Sequence, residues 1–278
     1  MRVWFFSAGG VDASSRLMTG AGPWRGGHAV SLTCVLVERG DGLVLIDSGW
    51  GSPTADAPER FPGWLFDVTA GRPHATRAET AKGRVEALGF RAEDVRDIVV
   101  THLDIDHVGG LVDFPSARVH VSRLEHAARF HRSQPFRSRV HDSRPAMAHS
   151  PNFVVADLTD HAELGFPRSV DLFGDGSVTL LDAEGHTPGH CGVLVRSGDE
   201  SIVHAGDTFV HARELDGEEE LPLGVRLYRS ILHEDKAAVA RSLARFRALR
   251  REHPRVRLVN AHDASLLAAQ PAFPAAIG

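Results

Sequence analysis

The chain has 278 residues, 42% of them apolar and 24% charged, and a formal net charge of -5. That length supports a substantial core and by itself would allow two domains, but α/β sandwiches of this size are often one, so a single domain over residues 1–278 is expected, and the composition excludes a disordered chain. The acidic balance supplies no general basic surface for a phosphate backbone, so nucleic acid is not an expected partner.

Residues 2–8 read as a first strand, whose apolar stretch is too short for the core of a signal peptide. No run approaches the length that spans a bilayer, so a cytoplasmic protein with no membrane partner is expected. Gly9 to Gly27 reads as a Gly-rich connection containing Trp24, first a simple surface loop and otherwise a loop at a site's mouth that contacts substrate. His28–Val37 and Leu43–Ile46 flank Asp41-Gly42, a hairpin turn pair, and the second strand delivers Asp47-Ser48-Gly49. Cys34 and Cys191 lie in apolar strand-like stretches and read as small buried hydrophobes in a reducing compartment. Residues 51–74 are irregular, and Phe61, Trp64, Leu65 and Phe66 within them read as satellite core or as a pocket wall. A helix is predicted from Thr80 to Leu88, closed by Gly89.

The apolar run Ile98-Val99-Val100 then reads as a short buried strand, and Thr101 to Gly110 follows at its carboxyl end, where α/β folds place their chemistry. His102, Asp104, Asp106 and His107 stand within six positions, and Gly109 and Gly110 let the backbone turn and approach closely. Four such groups packed together call for a cation, whereas in isolation the same residues suit a solvated turn. Ala117–Val121 alternates as a strand, and Ser122-Arg-Leu-Glu125 has the spacing of a capping box opening a helix to Phe130. Residues 131–150, with Arg132, Arg137, Arg139, His141, Arg144 and His149, read as a cationic lid or a solvated loop. Three further β-type runs end in Gly185-His186-Thr187-Pro188-Gly189-His190, Ala205-Gly206-Asp207-Thr208 and Asn260-Ala261-His262-Asp263. Between the last two, residues 234–252 form the clearest predicted helix, with Val239, Leu243, Phe246 and Leu249 on one face.

Four strand ends carrying His or Asp in this order resemble the metallo-β-lactamase fold superfamily, whose pattern is H-x-H-x-D-H, then G-H-T-x-G-H, G-D and a final His. The resemblance runs from about Leu32 to His262 and implies an αββα four-layer sandwich with a site along one edge. It also implies that His102, Asp104 and His186 hold one metal, that Asp106, His107 and His262 hold another, and that Asp207 bridges them. Asp47 would support the site from behind. Asp106 is the candidate for direct participation in catalysis. His190 is expected to hydrogen-bond rather than ligate, while His120, His204 and His211 have no evident place among the ligands.

Two divalent cations are therefore expected, zinc first. Asp104 stands where the pattern has a second His, and carboxylate for imidazole hardens that site toward iron or manganese. A single filled site at Asp106, His107 and His262 stays open as an alternative. The chemistry so implied is hydrolysis of an ester, lactone or related acyl bond of a small molecule by a metal-bound hydroxide. The sequence around the first motif and the G-H-T-P-G-H turn is similar to the N-acyl-homoserine lactonase branch. Those enzymes carry a Tyr soon after the bridging Asp, whereas here Thr208-Phe209-Val210-His211 follow and Tyr228 is the single tyrosine. A thioesterase of the glyoxalase II type, a phosphoester hydrolase, a di-iron redox protein and a non-catalytic scaffold are the competing readings.

Overall fold

The computed structural model describes residues 1–40, 42–60, 62–131, 140–217 and 221–278. Asp41, Phe61, Arg132, Arg137 and Arg139, and the side chain of Tyr228, lie outside this description. One sheet contains β1 (Val3–Ser14), β2 (Gly27–Arg39), β3 (Gly42–Ile46), β4 (Arg72–His74), β5 (Val95–Val99), β6 (Arg118–Ser122) and β7 (Asn152–Ala156). Its order is β4-β1-β2-β3-β5-β6-β7, with β3, β5, β6 and β7 parallel to one another. The other sheet contains β8 (Ser169–Asp171), β9 (Val178–Asp182), β10 (Cys191–Ser197), β11 (Glu200–His204) and β12 (Arg257–Val259), in the order β12-β11-β10-β9-β8.

The period of two along each strand builds the layers, because successive side chains point to opposite faces. Val3, Phe5, Val44 and Ile46 face Val178, Leu180, Val193 and Ile202 of the second sheet. Their neighbours Trp4, Phe6, Leu43 and Leu45 pack on the far side, in one core with Phe66, Val85 and Leu111. Leu181, Leu194 and Val203 likewise turn outward against Leu243, Phe246 and Leu249 of the helix Lys236–Glu252. Both faces of each sheet are thus covered, which is why the central strands read as continuous apolar runs. The four-layer αββα arrangement follows.

Several elements differ from the sequence expectation. β1 continues to Ser14 across a register shift between Ser7 and Gly10, so the connection expected from Gly9 is mostly strand and short helix (Ser15–Thr19). Residues 51–74 contain the helices Ser52–Asp56 and Trp64–Thr69 as well as β4. Phe66 there is core, edge-on to Trp50 at 5.5 Å, whereas Trp64 is exposed. The described part of the expected lid is not a solvated loop: Val140, His141, Ser143, Ala146 and Met147 are buried, because its apolar residues join the core beneath the first sheet. Cys34 and Cys191 are buried and free, and burial raises both thiols above their usual pKa. No helix among the described residues is long and apolar enough to cross a membrane.

Candidate metal centre

The carboxyl ends of strands from both sheets converge on one edge. Asp47 follows β3, the segment from His102 to His107 follows β5, and His186, Asp207 and His262 follow β9, β11 and β12. Asp104 precedes the helix Ile105–Val108, which presents Asp106 and His107 from its first turn. Gly109 and Gly110 have ordinary negative φ, and what they provide is close approach: a Cβ at Gly110 would overlap the Ser48 carbonyl oxygen. The backbone there is tied across by Ser48 N–H to the His107 carbonyl at 2.8 Å.

All seven residues singled out in the sequence meet here. His102, His186 and Asp207 form one compact group, and Asp106, His107 and His262 form another. Asp104 flanks the first, its Oδ2 3.4 Å from His102 Nε2 and 3.3 Å from His186 Nε2. Asp207 faces both groups, with Oδ1 3.2 Å from His107 Nε2 and Oδ2 3.0 Å from His262 Nε2 and 3.5 Å from His186 Nε2. His262 Nε2 lies 3.5 Å from Asp106 Oδ2. Separations of this size suit donors sharing a cation about 2.0–2.2 Å from each. Four further observations test the fit: His102 Nε2, His107 Nε2, Asp106 Oδ1 and Asp207 Oδ1 are buried with no hydrogen-bond partner among the described residues. Buried polar atoms of this kind are costly unless something satisfies them, and a divalent cation fits an imidazole and carboxylate donor set. The residues present therefore fit the metals implied by their pattern.

Electrostatics agree. Burial by itself lowers the His107 pKa, yet the charges of Asp207, Asp47 and Asp106 carry it well above its ordinary value. His262 is raised against burial by Asp207. Burial would raise Asp207 and Asp106, but the facing imidazoles hold Asp207 well below the usual carboxylate range and Asp106 down at about 2. Protons on His107 and His262 thus stand where a cation would otherwise balance the carboxylates, and cation binding would displace them.

The supporting residues explain how the donors are aimed. Asp47 adopts φ 54°, a strained conformation for a residue with a side chain. Its Oδ1 accepts from Thr101 N at 2.8 Å, and its Oδ2 accepts from Thr101 Oγ1 at 2.9 Å and from His107 Nδ1 at 2.8 Å. With Nδ1 carrying the hydrogen, His107 Nε2 is left free to donate its lone pair into the cluster. His190 is not among the donors: Nδ1 bonds the Ala183 carbonyl at 2.8 Å and Nε2 accepts from Asp207 N at 2.9 Å. Burial and then the charge of His102 push it down to about 3, which keeps it neutral for both bonds. His204 bonds the Thr33 carbonyl and Gly206 N, His120 pairs with Asp97, and His211 faces Asp263 at 3.7 Å, all outside the cluster.

Two contributors escaped the sequence reading. Ser122 Oγ does accept from Glu125 N at 3.2 Å, but the Glu125 carboxylate does not complete the expected capping box. Its Oε1 instead accepts from Leu103 N at 3.0 Å and its Oε2 from Gly189 N at 3.2 Å, clamping the loop of His102 and Asp104 to the loop of His186. A Cβ at Gly189 would overlap the Glu125 backbone, so the clamp requires glycine there. His141 is the other: it sits beside Asp104 and Asp106 rather than in solvent. The spacing S-x-x-E signalled a helix start, and nothing local to His141 signalled burial.

A cavity of about 320 Å³ opens onto Asp106 and His262. Its walls come from Val11, Leu17, Met18, Trp24, Val30, Phe66, Val68 and Val210, with Asp12, Arg25, Asp67 and Arg72 also lining it. The segments 9–27 and 51–74 therefore do shape the pocket.

Comparison with known proteins agrees with this geometry. The sequence profile of the metallo-beta-lactamase superfamily matches residues 29–252. A probable metallo-hydrolase of Mycobacterium tuberculosis is 38% identical over 242 residues, 85% of this chain and 76% of that protein. The N-acyl homoserine lactonase AttM of Azorhizobium caulinodans is 30% identical over 173 residues, 61% of each chain. Among solved structures, an N-acyl homoserine lactone hydrolase with N-hexanoyl-L-homoserine at its catalytic metal center is similar in fold, with a TM-score of 0.72 at 20% identity over 99% of this chain and 98% of that one. The dizinc quorum-quenching lactonase AidC gives a TM-score of 0.63 at 19% identity, over 99% of this chain and 88% of that one.

Proposed function

The chain belongs to the metallo-β-lactamase superfamily and is a hydrolase of that fold, and from that premise we propose that it cleaves the ester or lactone bond of a small molecule with an apolar acyl group, using two divalent cations, zinc foremost. His102, Asp104, His186 and Asp207 would hold one cation, and Asp106, His107, His262 and Asp207 the other. Cations held there supply Lewis acidity: they lower the pKa of a coordinated water to about 7 and polarise a carbonyl oxygen.

The observation that carries the substrate class is the cavity, whose Leu17, Met18, Trp24, Phe66 and Val68 surfaces lead directly to Asp106 and His262. An acyl chain laid against them buries about 0.8 kcal/mol per methylene and brings its carbonyl to the cluster. Asp106, kept ionised and with a buried Oδ1 that no described group satisfies, accepts the proton of the attacking water and returns it to the departing alkoxide oxygen. Asp47 and Glu125 hold the loops fixed through the cycle. Thr208-Phe209-Val210-His211 follow Asp207 where the lactonase branch has a tyrosine soon after, so a tyrosine's help to the substrate carbonyl is absent from that stretch, and the AttM likeness supports a lactone substrate without requiring it.

The test is a screen of zinc-, manganese- and iron-loaded protein against acyl-homoserine lactones and aryl esters of graded chain length, with thioesters and phosphodiesters as comparison arms. Turnover that rises with acyl length supports the proposal. Turnover confined to phosphodiesters, or no turnover of any ester or lactone, refutes it.

A further inference from the structure

The first of the two cation sites has lost an imidazole, since position 104 carries Asp where the family pattern has His. His102 and His186 remain, with Asp104 and Asp207 as oxygen donors. His141, from a distant part of the chain, lies beside Asp104 and Asp106. Its Nδ1 is 3.7 Å from Asp104 Oδ2 and 3.6 Å from Asp106 Oδ1, too far for hydrogen bonds and close to the spacing of donors that share a cation. The side chain is 4% exposed, and neither ring nitrogen has a hydrogen-bond partner among the described residues. An imidazole left in that state costs on the order of 1–3 kcal/mol per unsatisfied group, a cost that a cation bound at Nδ1 would lower.

The surroundings fix the ring there. Ser143 Oγ donates to the Leu103 carbonyl at 2.6 Å, pinning this segment to the same loop that carries His102 and Asp104. Asp142 accepts from Arg129 at 2.9 Å, and the His141 ring stands edge-on to Phe66 at 5.5 Å. We propose that His141 is a metal ligand of the first site, supplying from a separate segment the nitrogen donor that Asp104 replaced. A neutral imidazole raises the donor number without adding a charge to a site that already has two carboxylates, which favours a higher-coordinate cation over a strictly tetrahedral one.

This inference rests on the metal-dependent reading above, and the experiment separates the two. Full-length wild type, His141→Phe, Asp104→His and the double variant are stripped with chelator and titrated with Co(II). Bound metal per chain, affinity by competition and the visible d–d spectrum are recorded, and circular dichroism of the stripped proteins reports folding. His141→Phe keeps the ring volume against Phe66. The expected result is a folded His141→Phe protein that binds the first-site cation about 10- to 100-fold more weakly, with an altered d–d band. Asp104→His in that background is expected to restore affinity and spectrum. His141→Phe with wild-type affinity, stoichiometry and spectrum overturns the inference while leaving the hydrolase reading standing. A folded double variant that stays as weak as His141→Phe also overturns it. Wild-type protein that binds no cation overturns both.

Discussion

Glu125→Ala is the perturbation that most directly tests whether the two halves of the site are clamped from beneath. The buried carboxylate accepts from Leu103 N and Gly189 N, and no other described group replaces it for these amides. Hydrogen bonds to charged groups are worth about 1.5–3 kcal/mol each, so losing both costs about 3–6 kcal/mol, a large fraction of the 5–15 kcal/mol that holds a typical domain together. At about 2–4 °C per kcal/mol for chains of this size, the melting temperature should fall by about 6–24 °C. Both released loops carry cation donors, so metal affinity should fall by about 10- to 100-fold as well. Glu125→Gln retains an acceptor for one amide and turns a donor toward the other, so it should lie between wild type and Glu125→Ala. The assay is thermal unfolding with and without bound metal, beside a chelator competition. Glu86→Ala, which removes only an exposed contact to Lys82, serves as the control. A Glu125→Ala protein that melts within about 2 °C of wild type and holds metal equally well would refute the clamp.

Asp47→Ala should lower metal affinity by about 10- to 100-fold, because His107 loses the partner that fixes its ring and tautomer; chelator competition checks this, and unchanged affinity contradicts it. Trp24→Ala should raise KM about 5- to 30-fold for long-acyl substrates, from about 1–2 kcal/mol of lost apolar contact, and leave short-acyl substrates unaffected. An equal rise for both would show that Trp24 does not contact the chain. Burial alone would raise the Asp97 carboxyl, but its bonds with His120 and Arg118 hold it below its ordinary value. A carboxylate depressed in the folded state contributes stability above its unfolded pKa of about 3.9 and loses it as pH falls through the folded value. Asp97→Asn should accordingly be less stable than wild type at pH 7, with the gap in denaturant midpoint closing below about pH 4; a gap independent of pH sinks that assignment.

The sequence by itself determined the layering and most of the candidate metal centre. Alternation such as Leu43-Val44-Leu45-Ile46 states which side chains face each way, and His102, Asp104, Asp106 and His107 are so close in the chain that a turn after a strand must bring them together. His186, Asp207 and His262 were legible because each follows its own apolar strand run, and a resemblance of order and spacing linked them. Tertiary structure alone decided the rest. His141 and Ser143 lie in a polar, basic stretch, and their burial comes from packing against Phe66 and Leu103, whose distance in the chain leaves no local periodicity to read. Glu125 obeyed the local rule for a helix start only in its backbone, because two amides remote in sequence offered its charge a buried site that the helix end could not match. Local pattern specifies conformation and face, but the partner of a buried polar group is set by whichever distant segment closes over it.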